Sequence, residues 1–350
     1  MNLKKMILSA ILTTGVILAG CQNTDSDGEV TSTDASTNSD FRVAMVTDQN
    51  GVDDRSFNQS AWEGLQDWAN SHNFSENNIQ YFQSGDQSNY IPHLNTAVQD
   101  NYDIVYAIGF SLEEAVTEIA LQNPEQKIGM LDGLVDAPNV VSITFADNEA
   151  SYLAGIVAAL TSKTGKIGFV GGQVTPNIEK FQAGYIAGAK SVDQTIEIDA
   201  QYIESFSDSA LAQQTASAMY ANDVDIIFHA AGNAGNGVNT EARNRLESGT
   251  NEDIWVIGVD RDQSEEGEWE EGNFVLTSTL KELGRAAENE VNDIMNGNFH
   301  GGEHIISNLE VGGVGIVKTD LTDEIKETVE KTEQQIIAGE IQVPETLEAN

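Results

Sequence analysis

Several short segments of this 350-residue chain carry side chains suited to holding a small molecule, and each follows an apolar, strand-like run. The first is Thr47-Asp48-Gln49-Asn50-Gly51, continuing into Val52-Asp53-Asp54-Arg55-Ser56-Phe57-Asn58-Gln59. Asp48 and Asn50 are turn-formers and Gly51 permits positive φ. Ser56 is placed to cap a helix that starts near Phe57. Phe57 opens that helix where a polar residue is usual, so it reads as a stacking surface. Phe206, in Glu204-Ser205-Phe206-Ser207-Asp208, again stands between a strand and a helix. Two aromatic residues thus hold equivalent positions in the two halves of the chain, the arrangement needed to sandwich a flat ring. Asp132, in Met130-Leu131-Asp132-Gly133, also ends a strand, where an Asp commonly serves as a cap or turn residue.

Gly232, Gly235 and Gly237 follow another strand, in Ala230-Ala231-Gly232-Asn233-Ala234-Gly235-Asn236-Gly237. The order is not GxGxxG and no Lys-Ser/Thr pair follows, so the turn suits close approach of backbone to a neutral ligand better than a phosphate cradle. Asp260 and Asp262 end the next strand. A carboxylate there can accept two hydrogen bonds from a vicinal diol, as acidic residues do with ribose. The acidic stretch from Asp260 to Glu271 lacks the sixth-position glycine of a calcium loop. Lys281 reads as the start of a helix after Thr277-Ser278-Thr279-Leu280, where the helix dipole opposes a cation. It either pairs with Asp260 and donates to a ligand oxygen or stands as an exposed lysine. The five histidines (His72, His93, His229, His300 and His304) show no metal-ligand spacing, and no metal or cofactor is expected.

The elements that must position these residues alternate. Strand-like runs are Phe41–Val46, Ile79–Phe82, Ile104–Ile108, Lys127–Leu131, Val140–Phe145, Lys166–Val170, Ile196–Ile203, Ile226–His229, Ile254–Val259 and Phe274–Thr279. Segments with helical spacing lie between them, such as Trp62, Leu65, Trp68 and Ala69. Strand–helix alternation implies parallel sheets covered by helices on both faces. Two runs of about five units predict an α/β protein of two doubly wound sheets, with ligands at the carboxyl ends of the strands.

The chain begins with a basic head, Lys4 and Lys5, and an uncharged apolar run from Met6 to Leu18. That run is shorter than the roughly 20 residues of a membrane span and reads as a signal peptide over residues 1–20. Leu18-Ala19-Gly20-Cys21 resembles a bacterial lipobox, and Cys21 is the only cysteine. Acylation of Cys21 would hold the protein at the outer face of a cell membrane without a spanning helix. Residues 21–40 are polar and acidic and read as a disordered tether. The formal charge is −39, and loss of Lys4 and Lys5 with the signal peptide leaves 15 basic against 56 acidic residues. Nucleic-acid binding is excluded on that charge.

The chain resembles the basic membrane protein family of lipoproteins, which includes purine nucleoside receptors of ABC importers. The similar stretches are Asp53 to Gln59, Phe145 to Gly155, Gly168 to Gly172, Phe181 to Gly184, His229 to Gly232 and Val256 to Gln263. The resemblance implies a type 1 periplasmic binding protein fold, two lobes joined by a three-strand hinge. The expected crossings lie near Phe145, Val259–Thr277 and His300. The lobes are then residues 41–144 with about 278–302, and 145–277 with about 303–345. By the same resemblance, Phe57 and Phe206 stack on the purine and Asp132 bonds the base edge. Asp260 and Lys281 hold the ribose hydroxyls, and Asp48, Asn58 and the Gly232 backbone complete the shell. This sequence departs from the family at Gly232-Asn233-Ala234, where two glycines and a threonine are common, and at Asn239, where an aromatic residue is usual.

These readings lead to a monomeric, extracytoplasmic, non-enzymatic binding lipoprotein. Its expected ligand is a purine nucleoside (adenosine, guanosine or inosine), and its expected partners are the permease and ATPase of an ABC importer. The alternatives are a sugar or other small ligand, or a ligand sensor for a membrane partner.

Overall fold

The computed structural model describes residues 40–250 and 253–347. The signal segment, Cys21 and the tether up to Ser39 lie outside the described residues. The first half runs β1 (Val43–Val46), α1 (Phe57–Ser71), β2 (Ile79–Phe82), α2 (Tyr90–Gln99), β3 (Ile104–Ile108), α3 (Glu113–Gln122), β4 (Ile128–Leu131) and β5 (Val140–Phe145). There follow α4 (Asp147–Thr161), β6 (Lys166–Gly171), α5 (Pro176–Val192), β7 (Glu197–Tyr202), α6 (Ser209–Ala221), β8 (Ile226–Ala230), α7 (Asn236–Glu247) and β9 (Trp255–Gly258). The remainder is a short α8 (Ser264–Gly267), a two-residue ribbon of β10 (Glu268–Trp269) and β11 (Gly272–Asn273), β12 (Val275–Lys281), α9 (Leu283–Met295), β13 (His304–Ser307), β14 (Val314–Ile316) and α10 (Asp323–Ile337).

The strands form two six-stranded sheets, ordered β13-β5-β4-β3-β1-β2 and β14-β12-β9-β8-β6-β7. All pairings in the first are parallel, and in the second only β14 runs antiparallel, against β12. β1, β3, β4 and β8 are buried along their whole length, as expected of strands covered on both faces. The expected two-lobed α/β architecture is therefore present.

Helices sort to the sheet faces by their apolar stripes. α2 and α3 cover one face of the first sheet, and α6 and α7 cover one face of the second, each closing a core of its own lobe. The third core is continuous through both lobes. It joins α1 and α9 on the first sheet to α4 and α5 on the second. The α4–α5 pair packs backbone to backbone: a Cβ on Gly155, Gly184 or Gly188 would collide with main-chain atoms of the opposite helix. Only glycine permits that approach.

Three segments join the lobes, at Phe145–Asp147, Lys281–Leu283 and Ser307–Val314. The last two lie later in the chain than the sequence suggested, near Val259–Thr277 and His300, and the lobe boundaries move with them. β12 stays in the second sheet to its end because Thr279, Leu280 and Lys281 pair with Ile316, Gly315 and Val314. The chain stays in the first lobe after His300 because His304–Ser307 pairs with Ser142–Phe145. The crossings lie side by side: Ala146 N donates to Ser307 O (3.0 Å) and Glu282 N to Gly313 O (2.9 Å). No helix among the described residues is long and apolar enough to cross a membrane.

Candidate functional site

A cavity of about 760 Å³, counted to its open mouth, lies where the carboxyl ends of the two sheets face each other. Strand ends supply most of its wall. Asp48 and Asn50 follow β1, Gly109 and Phe110 follow β3, and Asp132 follows β4; from the second lobe come Phe206 after β7, Gly232 after β8, Asp260 after β9 and Lys281 at the end of β12. Asp132, Asp260 and Gly232 leave their strands at positive φ (60°, 69° and 53°). That turn is strained for an aspartate, on the order of 1–3 kcal/mol, and it recurs at functional sites.

Of the eight residues singled out in the sequence as ligand contacts, seven line this cavity: Asp48, Phe57, Asp132, Phe206, Gly232, Asp260 and Lys281. Asn58 does not. It is fully buried behind the wall, where its amide donates to Asp48 Oδ1 and Asp54 Oδ2 (both 2.9 Å). Ser56 occupies the N-cap position of α1 without capping it. Asp54 caps instead, accepting from the backbone N–H of Ser56, Asn58 and Gln59 (2.9, 2.9 and 3.1 Å). The Ser56 hydroxyl is thereby free to donate across the cleft to Asp260 Oδ2.

Lys281 ends a strand and does not begin a helix; α9 starts two residues later. Its ammonium, 4% exposed, bonds Asp132 Oδ2 at 2.8 Å and Asp147 Oδ2 at 3.1 Å. Its contact with Asp260 is through the backbone, Lys281 N donating to Asp260 O at 2.9 Å. Nζ also lies 5.1–5.5 Å from the ring centres of Phe181, Phe57 and Phe145, a cation–π cage. Burial alone would lower the lysine pKa, but Asp132, Asp147 and Asp260 outweigh it and hold the amine well above its usual range. Burial pushes the Asp147 carboxyl up to about 8 against the pull of Lys281. Burial likewise raises Asp48 and Asp260 to about 6.

The aromatic lining is richer than the sequence suggested. Phe206 and Phe110, from opposite lobes, meet edge to face with centroids 6.3 Å apart. Tyr90 and Phe181 also reach the wall. Phe110 follows β3 as Phe57 and Phe206 follow β1 and β7, so the same strand-end rule would have found it. Asp147 and Phe181 sit within helices, where nothing in local spacing marks them.

Further bonds hold the lobes against each other across the cleft. Gln263 Nε2 donates to Arg55 O (2.8 Å), Asn236 Nδ2 to Asp54 O (3.3 Å) and Asn177 Nδ2 to Asp132 O (3.3 Å). With Ser56–Asp260 they define a closed cleft.

Two lobes closed over one cavity, joined by three adjacent crossings, define a solute-binding protein. The family model for PnrA-like ABC transporter substrate-binding proteins (Bmp) matches residues 41–347, and the chain belongs to that family. It is 43% identical over 354 residues to the ABC transporter nucleoside-binding protein BmpA of Lactococcus lactis subsp. cremoris (strain MG1363), covering 98% of this chain and 99% of the relative. It is 43% identical over 350 residues to the CD4+ T-cell-stimulating antigen of Listeria monocytogenes serovar 1/2a (strain ATCC BAA-679 / EGD-e), covering 97% and 98%. Among solved structures, an ABC transporter solute-binding protein from Aeropyrum pernix K1 superposes with a TM-score of 0.75 at 25% identity, over 87% of this chain and 94% of that one. The chain is thus a substrate-binding protein of the ABC transporter class and not an enzyme.

Proposed function

We propose that the cavity captures a purine nucleoside and that the protein, anchored through acylated Cys21, delivers it to the permease and ATPase of an importer. The observation that carries this reading is one cavity between the lobes that joins aromatic rings from both of them to a buried ammonium flanked by carboxylates. A flat heterocycle takes the rings, with Phe57 and Phe206 on its faces. A vicinal diol takes Asp260 as acceptor and Lys281 as donor, and Asp132 meets the base edge. Asp48 and the Gly232 backbone close the shell, while Asn58 acts by holding Asp48 in place. The Lactococcus relative is a nucleoside-binding protein, which supports the reading. Ligand entry needs the cross-cleft bonds to open by rotation at the hinge and to re-form over the ligand.

A thermal-shift panel of the purified protein tests this reading, because a ligand that binds only the folded form raises the melting temperature by mass action. Adenosine, guanosine or inosine should stabilise, and free bases and sugars should not. Stabilisation by sugars alone, or by no nucleoside, would overturn it. For the anchor, Cys21→Ala should leave nucleoside binding unchanged and release the protein from the cell surface into the medium; retention on the membrane would sink the acylation.

A further inference from the structure

A second cluster of ionisable side chains lies outside the cleft, between α9 and the first sheet. Glu290 and Asp293 stand three residues apart on α9 and so share a face of the helix. The chain then leaves the helix, turns and brings His300 back over both. The turn is held on each side: Asn298 N donates to Asp293 O (2.8 Å), and Gly302 N to Val140 O (2.7 Å). One donor atom from each of Glu290, Asp293 and His300 lies within 4.8 Å of the others. His300 Nδ1 is 2.7 Å from Glu290 Oε2 and 4.0 Å from Asp293 Oδ2.

A separate feature adjoins these donors. A pocket open to solvent is lined by all three, together with Asn289 and Ser307. The plainer account is a His–Glu pair that pins the turn to α9. That account uses Glu290 and His300 and leaves Asp293 and the pocket without a role. We infer that Glu290, Asp293 and His300 form a binding site for a divalent first-row transition-metal cation of the zinc class.

The donor set selects the class of ion. One imidazole nitrogen with two carboxylates suits zinc and its neighbours, whereas calcium and magnesium prefer all-oxygen sets. Ligands about 2.0–2.2 Å from one ion lie roughly 3 Å or more apart. The His300–Glu290 pair must therefore open by a few tenths of an ångström, and the His300 side chain, 32% exposed, has room to turn. Glu290, only 2% exposed, is the fixed ligand; Asp293, 47% exposed, is the mobile one. Water in the adjoining pocket completes the shell. The protein's large excess of acidic residues further concentrates cations near its surface.

The test is a calorimetric titration of chelator-treated protein with Zn²⁺, in excess Mg²⁺ to mask diffuse binding to surface carboxylates. One equivalent should bind to the wild type. Asp293→Asn and His300→Gln should each weaken that equivalent by at least about tenfold, the loss that even an outer-shell change causes. Asp293→Asn alters one half-exposed oxygen, so folding is not at stake, and melting curves of the metal-free variants check this. Co²⁺ in place of Zn²⁺ should give a visible absorption band that both variants abolish. Equal affinity in wild type and variants, or no saturable equivalent in the wild type, would overturn the inference.

Discussion

Lys281 in the cleft and His300 beside α9 each face two carboxylates, yet the two groups are built for different work. The Lys281 group is sealed: lysine, Asp132 and Asp147 are all less than a tenth exposed. A charge so placed is costly unless paired, so each member depends on the others. The His300 group keeps only Glu290 inside and leaves the histidine and Asp293 in contact with water. Of its two contacts, the half-exposed His300–Asp293 one contributes little to stability, and the His300–Glu290 pair keeps one partner in water. The lesson is that like compositions serve opposite ends. Burial makes one cluster a fixed charge pattern, and exposure leaves the other free to rearrange.

The sharpest way to break this contrast is to remove the basic group from each. Lys281→Met strands two buried carboxylates and should cost about 3–5 kcal/mol of stability, read by chemical denaturation, and abolish ligand binding. His300→Gln in metal-free protein should cost less than that, because water reaches His300 and only one buried carboxylate, Glu290, loses a partner. Equal losses would mean that burial is not what separates them. A smaller effect is expected at the cleft wall. Asp260→Ala should weaken nucleoside binding by about 1.5–3 kcal/mol, the range of hydrogen bonds to charged groups. Phe57→Ala should weaken it by about 1–3 kcal/mol through lost stacking. Titration calorimetry reads both, and unchanged affinity in the pair would remove the site from this cavity.

The mildest expected effect is on pH dependence. A carboxyl whose folded pKa stands above its unfolded value holds its proton more tightly in the native state. The stability this gives is complete below the ordinary Asp value of 3.8 and is lost as pH rises toward about 8 for Asp147, or about 6 for Asp48 and Asp260. The melting temperature should therefore fall as pH rises through this window. In Asp147→Asn, which mimics the protonated acid, the part of the fall between about pH 6 and 8 should shrink. His229 works in the other direction. Burial lowers its pKa to about 4, so its stability is present above 6.5 and lost as pH falls. An identical slope in wild type and Asp147→Asn would show that Asp147 is already ionised at neutral pH.

The ten expected strands all form; the central ones, such as β1, β3, β4 and β8, are buried on both faces and write themselves as continuous apolar sequence, whereas β2 and β7 at the sheet edges are only partly buried. β13 and β14 escaped notice because they are short edge strands, and β13 is mostly exposed. Missing them shifted two crossings, and ending the strand at Thr279, two residues short of its true end, made Lys281 look like a helix start. The residues that end strands were legible as a cavity wall, since topology sends them there. What was not legible is which partner each side chain takes. Ser56 at a helix start reads as a cap, but Asp54 does that job and Ser56 reaches Asp260, 204 residues away. Asp147 is one acid among 56 until the fold sets it against Lys281. Asn239 and His229 are buried with side-chain atoms that have no hydrogen-bond partner among the described residues; the departure at Asn239 was visible in the sequence, but its burial was not.

The three neighbouring crossings have a mechanical consequence. Parallel ligaments tied to one another bend together about one axis and resist sliding and twisting. Any swing of one lobe against the other would then follow a single arc, bringing the rings and charges on facing walls back to the same register. The joint is also redundant: a chain cut at any one crossing remains joined through the other two.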